Sequence, residues 1–345
     1  LAKDKLAKLG FKDMQIALDK EYGLGTVQVL GGGIKSVESY PMDSLRLQSI
    51  MGCLPKGRVI EIYGPESSGK TSLACYFMGQ IQKSGKEVVF IDVEHALDPV
   101  YAGTFGVNME KVWFSQPDSG EQALSIVESL VEKADNLGCV VIDSVAALVA
   151  QAELDGDMGD SHMAVIARLM GQAMRKLTAI IAKSEATVIF INQIRSKVGI
   201  MFGNPEVTTG GNALKFYASL RLDVRKGDVI PFDKNRLELG NMGIYMRVKA
   251  IKNKVAPPMR FGLMKIVYHN GFDLIEELID YACEYGIMVK SGSWYSYGEN
   301  KIGQGKEKVT AFLNDPAQKD ILKIIKEKVQ LRHTEELTPK RKIIE

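Results

Sequence analysis

A chain of 345 residues, 46% of them hydrophobic, exceeds the usual single-domain size, so one large core with smaller appendages is expected. Its 44 basic residues face 42 acidic ones, a formal charge of +2, which excludes a strongly basic, histone-like protein but not a local nucleic-acid site. The four cysteines (Cys53, Cys75, Cys139, Cys283) have no C-x-x-C spacing, no apolar run is long enough to span a membrane, and the lysine-rich start is no signal peptide.

Cys75, Cys139 and Cys283 lie in apolar surroundings, as buried free thiols of a reducing compartment do. The expectation is a soluble, cytoplasmic protein with no membrane partner.

In chain order, residues 1–22 read as a small amphipathic helical module, with Leu6, Leu9, Met14, Ala17, Leu18 and Tyr22 at helix spacing. A short strand at 26–30 ends in Gly31, Gly32 and Gly33, a hinge signal. From about 36 to 265 strands and helices alternate, which predicts a mostly parallel sheet with helices on both faces. Strand candidates are 58–63, 87–92, 139–143, 187–192, 217–225 and 244–252. The first four are continuously apolar, as strands buried on both faces are. Their C-terminal ends are polar: Tyr63 with Gly64, Asp92 with Glu94, Asp143, and Asn192 with Gln193. Ligands of open parallel sheets bind at that edge.

The first strand runs into Gly64-Pro65-Glu66-Ser67-Ser68-Gly69-Lys70-Thr71, which fits G-x-x-x-x-G-K-[ST], and then into a helix over 72–81 opened by Ser72. Backbone N–H groups of such a loop and the helix dipole hold phosphates. Lys70 adds a point charge, and the Thr71 hydroxyl ligates Mg²⁺. Asp143 is the expected second carboxylate organising Mg²⁺, although a strand-end Asp also caps turns. Glu94 is the choice for the carboxylate that activates water, with Asp92 as rival. Gln193 can bond a γ-phosphate and lose that bond on hydrolysis, as a sensor does. The chain therefore binds a nucleoside triphosphate with Mg²⁺.

After Gln193 comes a long segment rich in Gly, Thr and Asn, bearing Arg195, Lys197, Met201 and Phe202 and ending in Gly210-Gly211-Asn212. Cations with a few apolar groups suit single-stranded nucleic acid. A second irregular stretch, 153–160, precedes a helix with Arg168, Arg175 and Lys176; its Asp spacing fits a Ca²⁺ loop poorly. Lys252 and Lys254 fall at alternating strand positions. They are either simply solvated or reach a neighbour's γ-phosphate as an arginine finger does. From 272 to 330 a small α/β appendage is expected, with helices at 274–285 and 321–331. Residues 332–345 read as a disordered tail.

These strings together resemble the bacterial RecA family from about residue 5 to 330. The resemblance rests on 61–71, 91–99, 115–124, 143–148, 159–163, 172–177, 190–195, 201–206, 208–217, 294–297 and 301–306. It implies a RecA-type P-loop core with a twisted, mostly parallel sheet over 34–268. It also implies an oligomerisation module at 1–33, a C-terminal α/β domain at 269–331, a tail at 332–345, and DNA loops at about 153–162 and 194–211. The implied activity is a DNA-dependent ATPase that forms a head-to-tail filament on single-stranded DNA and exchanges strands with homologous duplex. Activation of self-cleavage by a damage-response (SOS) repressor is implied too. The resemblance assigns catalysis to Glu94, γ-phosphate sensing to Gln193 and trans action to Lys252 and Lys254. It assigns nucleotide contact to Asp98 and Tyr101, the latter stacking on adenine. DNA contact falls on Met163, Arg168, Arg175, Arg195, Phe202 and Gly210 to Asn212. Departures are Gly171 for a usual serine, a lengthened 227–246, a divergent 36–56, and a basic end, Pro339 to Lys342, where the family ends acidic. Alternatives are a ring-forming helicase or ATPase on the same fold, and a structural single-strand coat with incidental hydrolysis. A small-molecule kinase would need an arginine-rich lid, which the sequence lacks.

Overall fold

The computed structural model describes residues 10–27, 37–157, 165–196, 205–232 and 240–338. Met163, Lys197, Met201, Phe202, most of the expected strand at 26–30, the glycines 31–33 and the end from Pro339 lie outside them. The chain divides at Glu38/Ser39 into two compact units. In the first, α1 (Phe11–Tyr22) starts after Gly10 and ends at Gly23, whose φ of 103° only glycine adopts easily.

The second unit contains β1 (Ser39–Tyr40), α2 (Leu45–Met51), β2 (Leu54–Pro55), β3 (Val59–Gly64), α3 (Lys70–Lys83), β4 (Glu87–Asp92), α4 (Pro99–Gly103), β5 (Val112–Ser115) and α5 (Gly120–Lys133). It continues through β6 (Leu137–Asp143), α6 (Gln151–Leu154), α7 (Val165–Lys183), β7 (Thr187–Ser196), β8 (Glu206–Thr208), α8 (Ala213–Tyr217), β9 (Leu220–Pro231), β10 (Asn241–Asn253), β11 (Phe261–Val267) and β12 (Gly271–Phe272). It closes with α9 (Leu274–Glu284), β13 (Val289–Ser291), β14 (Trp294–Tyr297), β15 (Asn300–Gln304), α10 (Lys306–Asn314) and α11 (Lys319–Leu337).

The main sheet has the order β12-β11-β10-β9-β3-β7-β6-β4-β5. From β9 to β5 every pairing is parallel. The expectation of a parallel core holds there. Beyond β9 it does not, because β10, β11 and β12 pair antiparallel. Of the 227–246 segment, the described residues to Pro231 and from Asn241 belong to the paired strands β9 and β10, Asn241 facing Pro231.

Period-2 alternation sends neighbouring strand residues to opposite faces. Ile60, Ile62, Ile189, Ile191 and Leu222 pack with Leu73, Phe77 and Ile81 of α3. Val59, Val188, Phe190 and Val140 pack with Leu124 and Val127 of α5 and Met174 and Leu177 of α7. Both faces are thus covered, as a parallel sheet requires.

The C-terminal portion has its own core around Leu278, Ile279, Tyr295, Val309, Ile325 and Val329, beside the β13-β14-β15 sheet. Two expectations are corrected here. The tail does not begin at 332: α11 runs to Leu337, because His333 is fully buried in line with Val329 and Ile325. Cys283 is only half-buried, whereas Cys75 and Cys139 are buried.

Candidate nucleotide site and nucleic-acid interface

The loop 64–69 turns tightly off β3. A Cβ on Gly64 would meet the Val224 carbonyl oxygen at 2.0 Å, and one on Gly69 (φ +93°) would meet Met246 Sδ at 2.6 Å. Ser67 takes a positive φ of 54°. Pro65, Glu66 and Ser67 are exposed, and Ser68 is buried. Helix α3 then opens at Lys70 with Thr71 and Ser72 in its first turn, where backbone N–H groups have no helical acceptor. Lys70 is almost buried, its Nζ donating to the Pro65 carbonyl at 2.7 Å. Burial pushes the Lys70 amine down, opposed by the charges of Asp143, Glu94 and Glu66.

The ends of β4, β6 and β7 converge on this loop. Thr71 Oγ1 donates to Asp143 Oδ2 at 2.7 Å. Burial lifts the Asp143 carboxyl to about 6, Thr71's hydrogen bond opposing and the charge of Glu94 reinforcing. Glu94 is exposed; its Oε1 accepts from Ser144 Oγ and from Gln193 Nε2, the latter at 2.9 Å. The backbone N–H groups of Val93 and Glu94 donate to the Asp143 carbonyl, at 2.7 and 3.2 Å. Asp92, the rival base, is buried and occupied: it accepts from Ala96 N at 3.2 Å, Leu97 N at 3.3 Å and Gln116 Nε2 at 3.4 Å. Asp92 is a turn cap, so the geometry favours Glu94.

Tyr101 is half-buried on α4, its OH 3.1 Å from Ser72 Oγ. Asp98 caps α4, accepting from Val100 N at 2.8 Å and Tyr101 N at 3.2 Å, and so orients Tyr101.

The residues present fit a magnesium nucleotide. Ser68 Oγ is buried with no hydrogen-bond partner, in a loop with no space for further side chains. Among the described residues no three His, Cys, Asp or Glu side chains cluster as a metal cage. A hydroxyl and a single carboxylate suit Mg²⁺, which takes its other ligands from phosphate and water.

The polar strand ends do not all serve this site. Gln193 points to Glu94, but Asn192 points into the other layer and is fully buried. It bonds Glu61 and Thr209. Sequence reading grouped Asn192 with Gln193 and gave no role to Glu61, Arg221 or Ser144. The available signal for Glu61 and Arg221 was a charge inside each of two apolar runs.

Strand β7 continues past the nucleotide edge to Arg195 and Ser196 and pairs antiparallel with β8, Ile194 facing Thr208. Ser196 and Glu206, which flank the segment between the two strands, therefore lie opposite each other on one ladder. Arg225 holds the β8 side, Nη1 donating to Glu206 Oε1 at 2.7 Å while Nε donates to Asp223 Oδ1 at 2.5 Å. Gly210 and Gly211 take φ of +74° and +75°; an added Cβ on Gly210 would meet Val145 Cγ1, in the turn after β6, at 2.8 Å, and one on Gly211 would meet Ala167 Cβ, on α7, at 2.9 Å. Asn212 stands at the head of α8, which is only five residues long. Arg195, Arg168 and Arg175 are exposed; the last two sit seven residues apart on α7, hence on one face. Gly171 lies between them.

Lys252 and Lys254 do not share a strand face. A register shift separates Ala250 from Lys252, and β10 ends at Asn253. Half-buried Lys252 donates to the carbonyls of Lys215 and Phe216 at 2.7 and 2.8 Å, at the end of α8. Burial pushes its amine down, with the charges of Lys254 and Arg221 adding to the effect. Lys254 is exposed.

Comparison with known proteins bears on these arrangements. Residues 11–273 match the model of the RecA N-terminal domain, and 276–334 that of the RecA C-terminal domain. The chain is 53% identical over 302 residues to Protein RecA of Methylococcus capsulatus, covering 86% of this chain and 85% of that one. It is 52% identical over 333 residues to Protein RecA of Treponema denticola, covering 94% and 78%. It is 49% identical over 330 residues to Protein RecA of Bacillus subtilis, covering 92% of each. A solved structure of the RadB recombinase is similar at 21% identity and a TM-score of 0.48, over 66% of this chain and 95% of that one.

Proposed function

The chain belongs to the RecA family, and from that premise we propose that it is an ATP- and single-strand-dependent DNA recombinase. It assembles head-to-tail on single-stranded DNA and exchanges strands with homologous duplex in recombinational repair. The observation that carries this reading is one strand: β7 presents Gln193 to Glu94 and, two residues on, Arg195 at the root of the 197–204 segment. A nucleotide's state and a polynucleotide's grip are thereby read on the same rigid element.

In this reading the N–H groups of 67–71, with Lys70, hold the phosphates, and Tyr101 flanks the base. Thr71 and Asp143 hold Mg²⁺, which when bound neutralises phosphate charge. Ser144 and Gln193 both bond Oε1 of Glu94, so the proton of an attacking water passes to Oε2. Gln193 is then displaced or retained according to the γ-phosphate. Arg168, Arg175, Arg195 and the backbone of Gly210 to Asn212 meet the DNA, joined by Met163, Lys197, Met201 and Phe202. Lys252 and Lys254 act across the protomer interface, which requires Lys252 to leave the α8 carbonyls it now holds. The domain limits 1–33 and 34–268 belong to the same proposal, with the C-terminal domain running from 269 to Leu337, as do cytoplasmic placement and repressor activation. Among the described residues no helix is long and apolar enough to cross a membrane.

Electron microscopy with single-stranded DNA and a non-hydrolysable ATP analogue, paired with strand-exchange assays, tests the proposal. Helical filaments that exchange strands are expected. Closed rings would favour the helicase-type alternative, and filaments without exchange the structural coat. For the lysines, Lys252→Ala/Lys254→Ala subunits mixed with Lys70→Ala subunits should recover some ATPase, since a mixed interface pairs a good loop with good lysines. No recovery despite co-assembly would place the lysines in cis or remove them from hydrolysis altogether.

A further inference from the structure

Parallel register sets six side chains in two rows on one face of the sheet. Arg221, Glu61 and Phe190 form one row, and Asp223, Tyr63 and Asn192 the next. Glu61 is fully buried, although its face belongs to the apolar layer of Val59 and Val188. A carboxylate in such a place is sustained only by close partners. Arg221 Nε donates to Oε2, its guanidinium 4.6 Å above the Tyr63 ring, and Asn192 Nδ2 donates to Oε1 at 3.0 Å.

Asn192 is the junction. Its Nδ2 also donates to the Thr209 carbonyl at 3.1 Å, and its Oδ1 accepts from Thr209 Oγ1 and, at 2.9 Å, from Gln193 N. The amide's donors and acceptor are all engaged. One side chain thus joins the backbone of the residue that bonds Glu94 to the residue that precedes Gly210-Gly211. A buried, saturated network of this kind has few alternative arrangements, so displacement at one end is felt at the other.

We propose that Glu61, Asn192 and Thr209 are positioning residues, a brace that makes the grip of Arg195 and of the Gly210 to Asn212 backbone on single strands depend on the nucleotide at Gln193. The inference rests on the recombinase reading above and adds a second linkage, separate from the Gln193 side chain. Its hydroxyl end is testable without disturbing the buried charge. Thr209→Val is isosteric and removes only the donor; Thr209→Ser keeps it.

The measurement is the dissociation constant of the full chain for an oligothymidylate, with a non-hydrolysable ATP analogue and with ADP, at fixed salt. Coupling between sites typically spans about 5–150-fold. Thr209→Val is expected to reduce the ratio of the two constants by about 10-fold, with melting temperature and DNA-free ATP binding unchanged, and Thr209→Ser to restore it. Thr209→Ala, which removes the same hydroxyl with a smaller side chain, should reduce the ratio likewise and serves if the first variant folds poorly. A wild-type ratio in Thr209→Val, or equal impairment in Thr209→Ser, overturns the brace while leaving the recombinase reading intact. A wild-type protein whose DNA affinity ignores the nucleotide overturns both.

Discussion

Strand β3 is equally buried on its two faces, yet the faces do different things. Toward α3 it offers Ile60 and Ile62, packed with Leu73, Phe77 and Ile81. Toward the other layer it offers Glu61 and Tyr63, set among Arg221, Asp223 and Asn192. Burying an aliphatic side chain contributes roughly 1.5–3 kcal/mol without demanding one geometry. A buried ion pair, by contrast, contributes about nothing net against apolar residues of the same volume, but it demands one arrangement. The apolar face therefore holds the phosphate loop and its helix to the sheet. The polar face contributes position rather than stability, and it lies under the root of the segment read as DNA-binding.

The largest effect is expected where the two faces meet, at the strand ends. Glu94→Gln keeps the bonds from Ser144 and Gln193 possible but removes the base. Hydrolysis should fall by about 10²–10⁴-fold with ATP and DNA binding retained. DNA-dependent ATPase near the wild-type rate would remove Glu94 from that role.

Next in size are changes that set one face against the other. Glu61→Ala leaves Arg221 buried and unpaired, at a cost of about 3–5 kcal/mol in urea unfolding. Ile62→Ala on the opposite face costs a similar amount, about 2–5 kcal/mol, through its cavity. The nucleotide dependence of DNA affinity separates them: Glu61→Ala should lose it and Ile62→Ala keep it. The double change Glu61→Met/Arg221→Met should recover most of the stability and none of the dependence. If it recovers both, the polar face has no positional role and the contrast fails.

Much of the candidate nucleotide site was legible, because its signals are local. The 64–71 loop, its flanking strand and helix, Asp143 and Glu94 each follow a continuous apolar run. The Asn192 brace was not legible, since Glu61 and Arg221 are 160 residues apart and only the register makes them neighbours. Period 2 did carry the warning that Asn192 and Gln193 face opposite ways. Strand β5, whose Trp113 and Phe114 are largely exposed, and the antiparallel β11 gave no clear pattern. Neither did the last turns of α11, where the buried residue is a histidine and hydrophobic spacing does not count it.

That histidine supplies the smallest test of the same contrast. His333 joins α11 to α9 and α2: Nδ1 lies 2.7 Å from Tyr285 OH, Nε2 lies 3.4 Å from Ser49 Oγ, and its ring is edge-on to Tyr281 at 4.9 Å. The groups facing it are the hydroxyls of Tyr281, Tyr285 and Ser49, the Leu45 carbonyl and the Glu336 carboxylate. Burial pushes the imidazole below its ordinary value of 6.5, the Leu45 carbonyl and Glu336 opposing. The sign follows from linkage. Below about 6.5 the unfolded chain takes up a proton that the folded chain refuses, so stability is full above that pH and declines as pH falls, levelling off once the folded imidazole also protonates. An apolar seam would show no such slope. Melting temperature measured from pH 7.5 down to 5 should drop by more in the wild type than in His333→Gln, which keeps a hydrogen bond but cannot titrate. The other three histidines are common to both proteins and cancel in the difference. Parallel curves would mean that His333 only fills space, and that this seam behaves as the α3 face of β3 does.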